Sequence, residues 1–376
     1  MDFNFSEEQV MLRDSVSRYI QDNYDFEARR KVVANELGFS ADNWQQFADL
    51  GWLSIPFAEE HGGFGGGATD VMVIMEELGK GLVAEPYLAT VMLFGATLAK
   101  SGSAQAAQWL PTLIEGGLQG ALAYTERQSR YCLHDVATTA NKEGDGYVIN
   151  GEKTVVFNGQ AADKLIVSAR TSGSQTDAEG VSLFLVDANT KGISRTAYRM
   201  MDGQLVANIQ FNDVAVAGDS LVGCENGAAD LLQAVVDDAM VAACGEALGL
   251  ATVLNAETVE YAKTREQFGV AIGSFQALQH RMVDNFADAE QMRSLLYRTV
   301  CSIDENSPEA QKNRLALKVL TGQAGYRVAS EAIQLHGGMG ITDELSIGHY
   351  AKRMMMINSA FGDADYQLQR FCDLAA

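Results

Sequence analysis

Acidic side chains that could take part in proton transfer occur at two places in the C-terminal half of the sequence. The first is FGDADY, in which Asp363 and Asp365 are the only acids between Glu344 and Asp373. On a helix, two such residues would diverge by about 200°, whereas on an extended strand they would share one face. The spacing favours one catalytic and one structural acid over a carboxylate pair, with a helix N-cap as the alternative role for either.

The second acid is Glu246, the only charged residue between Ala239 and Ala256. A carboxylate in so apolar a run is expected to be buried, and buried carboxylates are paired or have raised pKa values. Glu246 is therefore a candidate general base or a structural acid that holds a nearby arginine.

Two glycine-bearing segments could contact a phosphorylated or flat ligand. In KTREQFGVAIGSFQALQH, Arg265 is expected in the last turn of a helix, where it offsets the helix dipole or, with Gln267, binds a pyrophosphate. In AIQLHGGMGIT, Gly337 and Gly338 serve either as a helix C-cap or as a place of close backbone approach. The HGGFGGGATD segment formally matches a dinucleotide-binding motif but lacks the preceding strand that the motif requires, which favours a simple turn.

Composition restricts the function class. The chain has 376 residues, of which 47% are hydrophobic, and a net charge of −21. This charge disfavours binding of nucleic acid or anionic lipid. The five cysteines and five histidines are dispersed, so we expect no metal site. Scattered free thiols and an N-terminus unlike a signal peptide favour a location in the cytoplasm. The apolar run around Glu246 is expected to be a buried helix rather than a membrane span.

The elements that must position these residues predict an α+β protein. Helical periodicity covers 1–115, with Ser6 as a candidate N-cap and Thr69 or Asp70 at the start of a later helix. Short alternating runs with EGDG and NG turns predict a central β domain over 116–225. Long, Ala-rich helical patterns return over 226–376 and predict a helical bundle.

Taken together, the segments FSEEQVMLRDSV, LGWLSIPFAEEHGGFGG, GYVINGEKTVVFNGQAAD, YAKTREQFGVAIGSFQALQH and AIQLHGGMGIT resemble the acyl-CoA dehydrogenase family, in the family's order and over essentially the whole chain. The resemblance implies an N-terminal α-helical domain, a central β domain and a C-terminal four-helix bundle, usually assembled as a tetramer. It also implies an FAD cofactor, an acyl-CoA substrate and an acceptor such as electron-transfer flavoprotein. In this reaction a carboxylate removes the α-proton while the β-hydrogen leaves as hydride to flavin N5.

The resemblance assigns roles to individual residues. It places Asp363 at the position of the family's catalytic base and Asp365 at that of a flavin-contacting threonine, which leaves Glu246 as the second candidate base. Residues implied to bind FAD, several of them the FAD of a neighbouring subunit, are Arg265, Gln267, Phe268, Gln276, Gln334, Gly337, Gly338 and Thr125.

The chain also departs from the family pattern. TERQSRYC replaces the usual TEPGAGSD, and KTVVFNG offers Val155 and Phe157 where an aromatic residue and a threonine commonly cover the flavin. Met240 replaces a CoA-contacting arginine, and Ala239 an alternative base. These features resemble a bacterial subgroup that includes the small subunit of pimeloyl-CoA dehydrogenase, whose members often pair with a related chain. Two alternatives therefore stay open: a partner subunit with reduced or lost catalysis, and a flavin monooxygenase or nitroalkane oxidase on the same scaffold.

Overall fold

The structure is a computed structural model that describes residues 4–375. Helices form the first part of the chain, a β-sheet the middle and helices the last part, which confirms the predicted α+β order. The N-terminal α-helices are α1 (Glu7–Asn23), α2 (Phe26–Ala34), α3 (Ala41–Asp49), α4 (Ala68–Lys80), α5 (Ala96–Ser101) and α6 (Ala104–Ile114), and a π-helical stretch, Tyr87–Gly95, leads directly into α5.

Local hydrogen bonds explain where the first helices begin. Ser6 caps α1, as predicted: its hydroxyl accepts from the Gln9 backbone N–H, and the Gln9 side chain accepts from the Ser6 backbone N–H in return. The predicted start of α4 at Thr69 or Asp70 is wrong, because the helix already begins after Gly67. Asp70 is the third helical residue and accepts from the Gly67 N–H at 2.8 Å.

The middle of the chain forms one mixed sheet. Its strands are β1 (Gly120–Ala123), β2 (Thr139–Glu143), β3 (Gly146–Phe157), β4 (Lys164–Arg170), β5 (Val181–Asp187), β6 (Ile193–Arg199), β7 (Leu205–Ala217) and β8 (Leu221–Val222). The strand order is β6-β7-β3-β2-β4-β5-β8, and β1 pairs in parallel with β4. Alternate apolar side chains, among them Ile149, Val167, Phe184 and Phe211, form the core of this sheet.

The two predicted turns in this region have different outcomes. The EGDG turn is present, since Glu143 and Gly146 pair at the end of the β2–β3 hairpin. The NG dipeptide Asn158–Gly159 does lie in a turn, directly after β3. The NG prediction is wrong for Asn150–Gly151, because Gly151 lies inside β3, at a register shift in the pairing with β7. A β-bulge allows one strand to continue through this point. A side chain at Gly151 would clash with Thr138, whose Oγ1 lies 2.5 Å from the position of a Cβ.

The last part of the chain is helical, with one short hairpin. Its elements are α7 (Ala229–Thr264), β9 (Glu266–Gln267), β10 (Val270–Ala271), α8 (Gln276–Asp304), α9 (Ala310–His336), α10 (Ser346–Ser359) and α11 (Ala364–Ala375). By length and composition α7 alone among the described helices could cross a membrane, but 78% of its most apolar window is buried in the protein. Burial of this kind is typical of a core helix.

The chain divides into two compact units. The helical unit comprises Met1–Lys31, Gly67–Val83 and Met240–Ala376, so it joins segments from both ends of the sequence. The sheet unit comprises Val32–Gly66 and Ala84–Ala239. The division does not follow the predicted domain limits 1–115, 116–225 and 226–376, which stay a prediction.

Candidate active site

Asp363 lies in the turn between α10 and α11. The Asp363 side chain is half-buried, and its Oδ1 accepts a hydrogen bond from the Tyr366 backbone N–H at 2.9 Å. Asp363 is therefore the N-cap of α11, one of the two roles that the sequence left open for it. Asp365 is exposed in the first turn of the same helix. The two acids thus occupy different environments and do not form a carboxylate pair.

A buried lysine lies close to this turn. The Lys318 side chain, on α9, is fully buried, and its Nζ donates to the carbonyl oxygens of Ile357 at 2.6 Å and Asn358 at 2.8 Å. Burial lowers the pKa of Lys318 to about 8, while interactions with Cys244 and Asp363 act in the opposite direction. Lys318 is thus still protonated at neutral pH, and it places a positive charge beside the candidate base.

The second candidate base, Glu246, forms a buried ion pair. Its Oε1 accepts from Arg353 Nε at 2.6 Å, and its Oε2 accepts from Arg353 Nη2 at 2.8 Å. Both side chains are buried. This bidentate geometry links α7 to α10. It favours the structural role that the sequence left open for Glu246, as an acid that holds a nearby arginine.

The TREQFG segment forms an exposed hairpin directly after α7. The helix ends at Thr264, so Arg265 lies one residue beyond the last turn in which the sequence predicted it, although its N–H still donates to the Tyr261 carbonyl at 2.8 Å. Phe268 and Gly269, both at positive φ, form the turn between β9 and β10. The side chains of Arg265, Gln267 and Phe268 are exposed, with Phe268 at 93%. The exposed Gln276 is the first residue of α8.

The HGG segment packs against the C-terminal end of α7, which precedes this hairpin. The Tyr261 ring stacks on the His336 ring at 4.4 Å between centroids, and the Tyr261 hydroxyl donates to the His336 carbonyl at 3.3 Å. Gly337 follows at φ 61°, and apart from the adjoining residues no described atom lies within 4 Å of the place where a Cβ on Gly337 or Gly338 would stand. Gln334 is exposed on the last turn of α9. The ends of α7 and α9 thus form one open surface of exposed guanidinium, amide and glycine groups.

The Asp363 turn and the Gly337–Gly338 pair, both in the helical unit, are far apart. Lys318, beside the Asp363 turn, and His336, beside the glycine pair, are separated by 18 residues of α9, which is about 27 Å of helix. The predicted base and the predicted phosphate-binding residues of one chain are therefore not side by side.

Thr125 belongs to the sheet unit, where it is joined to β3. Its hydroxyl donates to the Thr154 carbonyl, and the Thr154 N–H donates to the Thr125 carbonyl at 2.9 Å. The next residue of β3, Val155, is 40% exposed at φ 53°, within a second register shift against β7. Positive φ is a genuine outlier for a β-branched residue, and such strain often marks a functional site.

A buried ion pair supports this part of the sheet unit. Lys153 Nζ donates to Glu126 Oε1 at 2.7 Å and to Ser168 Oγ at 2.9 Å, and the Glu126 carboxylate also accepts from the backbone N–H groups of Ala137 and Thr138. Burial opposes ionisation of Glu126, but the Lys153 charge and the hydrogen bonds outweigh it and lower the pKa to about 2. Burial lowers the pKa of Lys153 to about 8 against the attraction of Glu126. Both groups are therefore charged at neutral pH.

Sequence reasoning did not identify Glu126, Lys153 or Lys318. A signal was present for Lys318, which interrupts the otherwise apolar pattern LALKVL. Met240 and Ala239, the positions at which the family resemblance expected other residues, are both fully buried on α7. Among residues 4–375, no group of three or more His, Cys, Asp and Glu side chains could hold a metal ion.

Comparison with known proteins identifies the family. The N-terminal, middle and C-terminal domain models of acyl-CoA dehydrogenase match residues 6–117, 121–214 and 227–372. The chain is 30% identical to a short-chain-specific acyl-CoA dehydrogenase of Megasphaera elsdenii, over 86% of each chain.

Solved structures with similar folds match this chain over its whole length. A structure described as PigA with FAD and proline matches with a TM-score of 0.92 and 28% identity, over 100% of this chain and 99% of that one. The ChsE4–ChsE5 complex from Mycobacterium tuberculosis matches with a TM-score of 0.90 and 28% identity, over the same shares. The chain is therefore a member of the acyl-CoA dehydrogenase family.

Proposed function

We propose that the chain catalyses the FAD-dependent α,β-dehydrogenation of an acyl-CoA thioester, with Asp363 as the base that removes the α-proton. The observation that carries this proposal is the half-buried Asp363 carboxylate, fixed at the N-cap of α11 beside the buried Lys318. Glu246 is disfavoured as the base because both its oxygens accept from Arg353. When bound, FAD supplies the hydride acceptor for the β-hydrogen.

The described residues fit an FAD cofactor at the places that the family resemblance implies. The exposed Arg265 fork suits pyrophosphate oxygens, and the open backbone at Gly337 and Gly338 allows close approach. The residues that would hold the diphosphate and adenosine are Arg265, Gln267, Phe268, Gln276, Gln334, Gly337 and Gly338. Their separation from the Asp363 turn, by about 27 Å of α9, supports the assignment of this tail to a neighbouring subunit's cofactor.

The family resemblance also assigns flavin contacts to Thr125, in the sheet unit, and separately to Asp365, in the helical unit. The hydrogen bonds between Thr125 and Thr154 fix the Thr125 backbone against β3. Asp365 is exposed at the start of α11 and brings a negative charge where the family commonly has a neutral threonine. We therefore expect weaker flavin binding than a threonine at this position would give.

We further propose that the chain assembles with copies of itself or with a related chain, as a homo- or heterotetramer. Large apolar side chains are exposed on the helical unit, in particular Phe268, Val283, Phe286, Tyr326 and Ile341. Exposed apolar surface of this kind is typical of protein–protein contact sites. The similarity to the ChsE4–ChsE5 complex supports a partner that is a second, related chain.

The remaining parts of the proposal concern the acceptor and the compartment. An electron-transfer flavoprotein or a similar carrier would reoxidise the flavin. This assignment of the acceptor rests on the family resemblance. The cytoplasm is the proposed location, supported by five free cysteines and no disulfide among them.

Asp363→Asn tests the assignment of the base. The variant keeps an N-cap acceptor but cannot take the α-proton, so we expect flavin bleaching by acyl-CoA to slow by at least about 100-fold. Asp373→Asn is the control, at an exposed acid of the same helix α11 that has no proposed role, and is expected to retain bleaching. Equal bleaching rates in wild-type and Asp363→Asn protein would remove Asp363 from the mechanism.

A catalytically reduced partner subunit is the second candidate function. The observation in its favour is the exposed, strained Val155 bulge, where the family commonly has an aromatic residue against the flavin. This candidate predicts colourless protein that takes up FAD only when it is co-expressed with a related chain.

A further inference from the structure

The turn that carries Asp363 is short and contains a strained residue. Phe361 is buried at φ 60°, and Gly362 follows at φ 96°. A bulky residue in the left-handed region is unfavourable, so its neighbours must hold it in place. We call the segment from Ser359 to Asp363, between the end of α10 and the start of α11, the base turn.

Gln367 holds the middle of the base turn. Its side chain is fully buried on α11, and its Nε2 donates to the Phe361 carbonyl at 2.5 Å. This bond satisfies a carbonyl that the left-handed conformation directs toward α11. The backbone N–H of Gln367 also donates to the Asp363 carbonyl at 3.0 Å, which closes the first turn of the helix.

Lys318 holds the start of the base turn. The carbonyls of Ile357 and Asn358, to which its ammonium donates, belong to the last turn of α10, where helical partners are missing. A positive charge at this helix end also complements the helix dipole. Because Lys318 lies on α9, its hydrogen bonds join the C-terminal end of α10 to α9. They therefore fix the direction in which the chain leaves α10.

We propose that Lys318 and Gln367 are positioning residues that hold the base turn so that the Asp363 carboxylate stands at one fixed place. The inference rests on the proposed function of Asp363 as base. Neither residue transfers the proton: Lys318 acts on the end of α10, and Gln367 acts on Phe361, two residues before Asp363. The attraction between the Lys318 ammonium and the Asp363 carboxylate adds to the geometric effect.

The test uses Lys318→Met and Gln367→Met, each of which removes the donors and keeps an unbranched side chain. In the FAD-loaded protein, we expect the rate constant of flavin reduction at saturating acyl-CoA to fall by about 10- to 100-fold, because a displacement of about 1 Å can cost that much. The FAD content per chain and the Kd of the acyl-CoA should change less than about twofold. Amide hydrogen exchange over 359–367 should become faster in both variants.

Two comparisons separate positioning from a general structural effect. Glu76→Gln weakens a different ion pair of the helical unit, between the buried Glu76 and the half-buried Arg293 at 2.9 Å, and should lower Tm without slowing flavin reduction. In the Asp363→Asn background, Gln367→Met should have little further effect on the residual rate, because it acts through Asp363.

The inference is overturned if a folded Lys318→Met or Gln367→Met protein reduces its flavin as fast as wild type, or if Gln367→Met slows Asp363→Asn as much as it slows wild type. If Lys318→Met does not fold, the rates of flavin reduction in Gln367→Met alone test the inference. Wild-type protein whose flavin no acyl-CoA bleaches would contradict the proposed function itself, which is a different result.

Discussion

Glu246 shows how a buried carboxylate at a suggestive position can be a structural residue. In the sequence it is an isolated acid in an apolar run, and such residues are either reactive groups or members of ion pairs. In the structure, Arg353 provides two parallel hydrogen bonds from the helix that leads to the base turn. The pair is thus in a position to support α10 rather than to contact substrate.

Glu246→Gln tests this role. The variant leaves the buried Arg353 charge without a charged partner, so we expect the free energy of unfolding to fall by about 3 kcal/mol, measured by chemical denaturation. Flavin bleaching by acyl-CoA should stay within about twofold of wild type below the unfolding transition. A variant of unchanged stability that no longer bleaches would instead identify Glu246 as the base.

At the residue scale, the sequence predicted the acids but not the basic residues that hold them. Asp363 and Glu246 stand out because charges are rare around them. Lys318 is surrounded by apolar residues in the same way, yet a lysine in a helix is usually solvated, and its burial depends on partners distant in sequence. The carbonyls that Lys318 satisfies lie 39 and 40 residues further along the chain.

The contact between α4 and α7 shows how elements set the position of the site. A Cβ on Gly249 would lie 2.1 Å from the Glu76 carbonyl oxygen, and a Cβ on Gly79 would lie 2.2 Å from the Glu246 carbonyl oxygen. The two helices therefore meet backbone to backbone. This close approach includes the backbone of Glu246, whose side chain pairs with Arg353 on α10.

Gly249→Ala tests this contact. The added methyl group cannot fit without moving one helix, so we expect a loss of about 2 kcal/mol in the free energy of unfolding. Gly245→Ala is the matched control one turn earlier on α7, where the nearest atom is a Met75 side-chain carbon at 3.3 Å. There the gain in helix propensity should offset the tighter packing. Equal denaturation midpoints for the two variants would contradict a backbone-to-backbone contact.

At the element scale, periodicity predicted the type of element better than its ends. The capping box at Ser6 is a local signal, and the prediction there is confirmed. The start of α4 was missed because Asp304, which accepts from the backbone N–H groups of Ala68 and Thr69, is distant in sequence. The dipeptide Asn150–Gly151 was mistaken for a turn because pairing with β7 on both sides of Gly151 keeps β3 continuous.

At the scale of the whole molecule, the helical unit exposes several large apolar side chains that bear on the proposed assembly. Val283 and Phe286, three residues apart on α8, share one face of the helix. Tyr326 on α9 is exposed as well. The net charge of −21 opposes close association of copies, so a specific contact must gain enough from apolar burial to overcome this repulsion.

Phe286→Ser tests the proposed assembly surface. Phe286 is 61% exposed, so the substitution should cost the single chain little stability while it reduces the molar mass measured by light scattering after size exclusion. Met11→Ser is the control: Met11 is 72% exposed on α1, and its loss should leave the assembly unchanged. An unchanged mass for Phe286→Ser would show that α8 does not form the contact.

The central claim, that this chain is an FAD-dependent dehydrogenase, is tested most directly by the visible absorption spectrum of the purified wild-type protein before and after anaerobic addition of acyl-CoA. We expect a flavin absorption band near one FAD per chain, which a suitable acyl-CoA bleaches in the absence of any other reductant. Protein with no flavin band after incubation with FAD, or with a band that no acyl-CoA bleaches, would contradict the account.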